Sequence, residues 1–284
     1  PRLCECAQEI KRLLSLKEVL PEAGAYRLVP MREAVNALPL SYGQQRLWFL
    51  WQLDPDSTAY HIQHALRLSG MLDRQAFHAS FQALIERHES LRTLFRVNDA
   101  GTVEQVIQPA SSLTIKDIDL LSWDISQREE RAAAEAQRIV SASFDLTQGP
   151  LLRVALIRMG EQKNILVIVM HHIIADGVSM QILLNEFAAY YQSYIKGKSA
   201  QLASLPIQYA DYTVWQQKWL EAGVKEKQLV YWQKYLGESH PVLMLPTDRV
   251  RQPATSYPAA RYSFDLPQVI LEKLHQLAID CGAT

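Results

Sequence analysis

The chain is poor in cysteine. Its three, Cys4, Cys6 and Cys281, offer no even set to pair. That excludes a disulfide-stapled secreted scaffold and suits a reducing, cytoplasmic setting. Cys4 and Cys6 are close in sequence, but no companion ligands follow at a zinc spacing, so no metal is expected. Long hydrophobic runs are lacking as well: none approaches the roughly 18 residues of a membrane span, and no signal peptide is evident. Neither charge sign is in excess. The 29 Lys and Arg stand against 30 Asp and Glu, which argues against nucleic acid or an anionic membrane as partner. No internal repeat or low-complexity tract occurs.

What is present is core material. A chain of 284 residues with 48% hydrophobic content can bury a sizeable core, as one large or two modest domains. Strand and helix patterns alternate along it. Residues 61–68 read as a strand, Gly70 as a turn, and 73–89 as a helix capped by Asp73, with Phe77, Phe81, Leu84 and Ile85 on its apolar face. Residues 91–97 and 102–108 read as a hairpin about the turn 98–101, and 126–140 as a helix. A second hairpin, 151–159 and 165–170, turns around Gly160. This alternation predicts an α/β layered fold. Ile10, Leu13, Leu14 and Leu20 predict a short leading helix, broken by Pro21 to Gly24. Pro241, Pro246, Pro253 and Pro258 predict an extended crossing segment.

The most informative segment is Met170-His171-His172-Ile173-Ile174-Ala175-Asp176-Gly177. An apolar run ends there, and Met180, Leu183, Leu184, Phe187 and Tyr191 then recur at helical spacing. Two histidines and an aspartate therefore fall in a strand-to-helix loop, where a rigid scaffold presents side chains to a substrate. Histidine exchanges protons near neutral pH. Side chains alternate along a strand, so only one of the two rings enters a given cavity. His172, nearer the loop, is the candidate for chemistry, with His171 packed behind it. Asp176 suits a helix N-cap, or an ion pair with a buried arginine. Gly177 suits close backbone approach or a positive φ. Ser179 lacks the surroundings of a nucleophile elbow.

Four stretches, in order, resemble the condensation domain of nonribosomal peptide synthetases. Ser41-Tyr42-Gly43-Gln44-Gln45-Arg46-Leu47-Trp48-Phe49-Leu50 resembles the opening motif, with Gly43 where alanine is usual. Arg87-His88-Glu89-Ser90-Leu91-Arg92-Thr93-Leu94-Phe95 resembles the second, and Met170 to Ser179 the third, the HHxxxDG motif. Tyr209-Ala210-Asp211-Tyr212-Thr213-Val214-Trp215 resembles the fourth, with Thr213 where alanine is common, and Leu245-Pro246-Thr247-Asp248-Arg249 resembles the stretch after it.

The resemblance implies a chloramphenicol-acetyltransferase-like fold of two lobes with an active-site tunnel between them. On that pattern 1–35 is a leader, 36–237 the first lobe, 238–260 a crossing segment and 261–284 the start of a second lobe. The family's later motifs are absent, so little turnover is expected from these residues alone. The implied reaction joins the amine of an acceptor aminoacyl thioester to a donor acyl or peptidyl thioester. Both ride on the phosphopantetheine arms of upstream and downstream carrier domains, beside an adenylation domain, with no cofactor bound by this chain. The resemblance further implies that His172 orients the amine or takes its proton, and that Arg87 or Arg92 pairs with Asp176. Gln44, Arg46 and Trp48 line or brace the tunnel, core packing being an equal alternative for Trp48. The aromatic stripe Tyr209, Tyr212, Trp215 and Trp219 is read as core, and Asp211 as a structural hydrogen-bonding group. An epimerisation domain of the same superfamily, or a carrier-docking fragment without activity, is the alternative.

Overall fold

The run from Ile165 to Met170 contains no polar side chain, and it becomes the buried middle of the sheet that carries the HHxxxDG loop. A computed structural model describes residues 38–200, 202–239, 262 and 264–283. The expected leading helix, Cys4 and Cys6, and the proline-punctuated crossing segment with its Leu245 to Arg249 motif lie outside the described residues. The chain divides into two compact units, one ending at Lys227 and one continuing from Gln228.

The first unit begins with β1 (Leu38–Pro39) and α1 (Tyr42–Leu53). Then come β2 (His61–Ser69), α2 (Arg74–Arg87), a 3-10 turn (Glu89–Arg92), β3 (Thr93–Val97), β4 (Val103–Ile107) and β5 (Lys116–Asp119). These are followed by α3 (Ile125–Val140), β6 (Leu152–Gly160), β7 (Lys163–His171), α4 (Gly177–Ile195) and α5 (Tyr209–Trp219). A π-type turn, Leu220–Val224, leads from α5 into α6 (Lys225–Leu236), with Gly223 at φ 94°. The second unit's described residues include α7 (Gln268–Asp280), the helix expected after Pro267.

Two sheets form. The larger runs β2-β7-β6-β5, antiparallel except for the parallel β5–β6 pair, and the smaller runs β1-β4-β3. As an inner strand, β7 is buried from Asn164 to His171, which explains its near-continuous apolar sequence. Each fully buried Val, Leu or Ile there contributes roughly 1.5–3 kcal/mol. The pairing of β2 with β7 sets His61 opposite His171, so register fixes which histidine lies at the strand's last rung.

Local sequence explains the helix starts. Ser41 and Gln44 form a reciprocal capping box on α1, and the Asp73 carboxylate caps α2 as expected. The predicted strand 91–97 begins two residues late, because Glu89–Arg92 winds as a 3-10 turn. Helices α2 and α4 pack through Phe77, Phe81 and Phe187, with Phe81 and Phe187 ring centroids 4.7 Å apart.

Candidate active site

The start of the loop after β7 is tied by main-chain bonds to two neighbouring segments. His171 N–H donates to Leu151 O at 3.1 Å, and His172 N–H to Tyr60 O at 2.8 Å. One residue further the alternation separates the rings: His171 is buried and His172 exposed. The His171 ring folds back so that Nδ1 accepts the Ile173 N–H at 3.1 Å, which leaves the proton of a neutral ring on Nε2. Phe144 and His61 flank it, each with its ring centroid 6.2 Å away. Burial, then the charges of His61 and His172, push its pKa down to about 4. His171 is therefore a neutral packing and hydrogen-bonding group at neutral pH.

Asp176 is the N-cap of α4. Its Oδ1 accepts the Ser179 N–H at 2.7 Å and the Ser179 hydroxyl at 2.6 Å. Those two bonds hold its carboxyl below the usual carboxylate range, with His172's charge a smaller contribution. The expected ion pair with an arginine is not formed. Arg87 sends Nε to both oxygens of Glu186, at 3.1 and 3.2 Å, and a second nitrogen to Ala203 O. Arg92 donates to the carbonyls of Ile85 and Gln108 and lies 3.7 Å from Glu89. Arg87 is taken up by α4 and the segment after it, Arg92 by the residues flanking the second motif, and Asp176 is satisfied by its own helix. Gly177 needs neither property expected of it: its φ is not positive, and nothing lies within 4 Å of the place a Cβ would occupy.

A cavity of about 270 Å³ opens in front of His172. Gln44, Arg46, Ser90, Asp176, Ser179 and Tyr209 are among its walls. Gln44 is itself buried and braces the loop from below, donating to Gln105 Oε1 at 3.1 Å and to Ile173 O at 3.4 Å. Trp48 is not part of this wall. It is buried against Trp51, ring centroids 5.0 Å apart, because it lies one turn on from Gln44 on the core side of α1.

Tyr209 departs from its expected place in the core. It opens α5, is 41% exposed, and its hydroxyl meets Ser41 Oγ at 3.0 Å on the cavity's edge. Desolvation raises its pKa, partly offset by the Ser41 bond. Its place at the head of the fourth motif is the available signal, since an aromatic stripe alone does not separate core from wall. Asp211 behaves as expected, accepting the Gln208 N–H at 2.9 Å in a helix cap. Among the described residues no three His, Cys, Asp or Glu side chains gather as a metal site requires, and no helix is long and apolar enough to cross a membrane.

A family model for the Condensation domain matches residues 35–284. One component of the linear gramicidin synthase of Brevibacillus parabrevis is 46% identical over 243 residues, covering 86% of this chain and 3% of that protein. Another component of the same synthase is 44% identical, covering 93% of this chain and 5% of that protein. The chain thus spans only a few per cent of the length of these curated relatives. Among solved structures, the X-domain from teicoplanin biosynthesis superposes with a TM-score of 0.75 at 29% identity, covering 88% of this chain and 54% of that one. The starter condensation domain of the rhizomide synthetase RzmA shares the fold at a TM-score of 0.66 and 22% identity, over 73% of this chain and 50% of that one. On a chloramphenicol-acetyltransferase-like α/β scaffold that carries the paired histidines and the helix-capping aspartate beside one cavity, the chain belongs to the condensation-domain family of nonribosomal peptide synthetases.

Proposed function

We propose that the His172 cavity forms an amide between two carrier-borne thioesters. The observation that carries this reading is the single exposed imidazole of the HHxxxDG loop, lining a cavity and anchored by its own N–H to Tyr60 O. The amine nitrogen of the acceptor attacks the donor's thioester carbonyl carbon. The C–N bond forms, the C–S bond breaks, and the departing thiolate receives the proton the amine loses. His172 holds the amine and accepts that proton in passing. A neutral amine is already a good nucleophile, so positioning contributes alongside base catalysis. The phosphopantetheine arms belong to the upstream and downstream carrier domains and reach the cavity from outside this chain.

The test is transfer from a loaded donor carrier to a loaded acceptor carrier, followed by intact mass. Condensation predicts that the acceptor carrier gains the donor acyl group with its own stereochemistry unchanged. Scrambling at Cα of a carrier-bound aminoacyl group, without bond formation, would identify an epimerisation domain instead. The likeness to the X-domain, one structure of which is a complex with OxyB, favours a second reading as a docking module. That reading predicts binding of a partner protein with neither transfer nor scrambling.

A further inference from the structure

A second cavity, of about 110 Å³, adjoins the first. Ser90, Ile174, Ala175 and Ser179 line both, so the two communicate around the HHxxxDG loop. Beyond this shared edge the walls are Leu91, Met170, Ile182 and Leu183. Among the described residues His88 is the only ionisable side chain lining the recess, and its Nε2 is engaged by Glu186 at 2.6 Å. The recess therefore offers apolar surface and two hydroxyls at its mouth, with no charge available to recognise a charged group.

The geometry points to this recess as the subsite for the acceptor's side chain, selecting an aliphatic group of about leucine size. The inference rests on the condensation reading, in which the acceptor amine is brought to His172. The side chain sits on the same carbon as that amine, so a residue held at His172 carries its side chain to the mouth of the adjoining recess. Size sets the preference. An apolar cavity of about 150 Å³ holds benzene, so this smaller one accepts a branched aliphatic chain and rejects an indole. Charged and strongly polar side chains are disfavoured because the recess has no partner for them.

The experiment uses acceptor mimics, aminoacyl-pantetheine compounds in which an amide replaces the thioester, titrated calorimetrically into the full chain. Leucyl, glycyl and tryptophanyl forms are compared. The leucyl mimic is expected to bind about ten- to a hundredfold tighter than the glycyl one, from burial of its side chain, and tighter than the tryptophanyl one. Ile182 is 46% exposed, so replacing it does not empty the core. Ile182→Trp fills the recess and abolishes the leucyl advantage while the glycyl affinity holds; Ile182→Ala enlarges the recess and narrows the gap between leucyl and tryptophanyl forms. Equal binding of leucyl and glycyl mimics, or equal weakening of both by Ile182→Trp, would overturn the subsite and leave the condensation reading standing. Failure of every mimic to bind would overturn the subsite as well, while the condensation reading is decided separately by the carrier-to-carrier transfer assay.

Discussion

Asp176 and Arg87 go to separate partners, where the family resemblance implies an ion pair of Asp176 with Arg87 or Arg92. Asp176 is held by Ser179, and Arg87 by Glu186, where both side chains of the pair are about 85% removed from solvent. Asp176→Asn keeps a good N-cap and is expected to change stability by less than about 1 kcal/mol. Glu186→Gln leaves Arg87 partly buried with a weakened partner and is expected to cost roughly 2–4 kcal/mol. Urea unfolding of the two variants decides the matter, and the reverse ranking would restore the Asp176–arginine pair. His171 adds a dependence on pH. Its pKa of about 4 lies below the ordinary histidine value of 6.5, so between those values the unfolded chain binds the extra proton and the folded chain does not. Stability therefore falls as pH drops from about 6.5 toward 4, by about 3 kcal/mol for this group. His61, also shifted down by burial, acts in the same direction. His171→Asn retains an acceptor for the Ile173 N–H and is expected to flatten the slope; an unchanged slope would place the titration elsewhere.

At the scale of elements, β7 and α4 are legible in the sequence because one is an unbroken apolar run and the other repeats at helical spacing. The Asp73 and Asp176 caps are legible for the same local reason: capping acts over three residues. Strand β5 is not, since Lys116-Asp117-Ile118-Asp119 has little apolar content and is held at the sheet edge by its parallel pairing with β6. Arg87 and Glu186 lie 99 residues apart, so their pairing is set by how α2 packs on α4 and by nothing local. That packing depends on the Phe77, Phe81 and Phe187 rings, and Phe81 is fully buried among them. Phe81→Ala is expected to cost about 3–5 kcal/mol through the cavity it leaves, whereas Phe81→Leu costs much less. A loss below about 1 kcal/mol for the alanine variant would show that α4, and with it the Asp176 end of the site, is positioned by something else.

Across the whole molecule, the site is assembled from four separated segments: the starts of α1 and α5, the turn after α2, and the loop after β7. The four family motifs mark those segments, which is why so much of the cavity is readable without any geometry. The motifs do not say which of their residues face it. Gln44 and Arg46 do, Trp48 turns into the core, and Tyr209, while still packed beside Tyr212, reaches the cavity wall. The β2–β7 register leaves His171 buried and His172 as the exposed histidine of the loop, and the proposed chemistry depends on that arrangement. Its most direct test is the rate of peptide transfer between loaded donor and acceptor carriers, by intact mass, for the protein extended through a second lobe and for its His172→Ala variant. The expected result is a fall of about 10²–10⁴-fold with folding intact, and transfer at the unaltered rate would contradict the role given to His172.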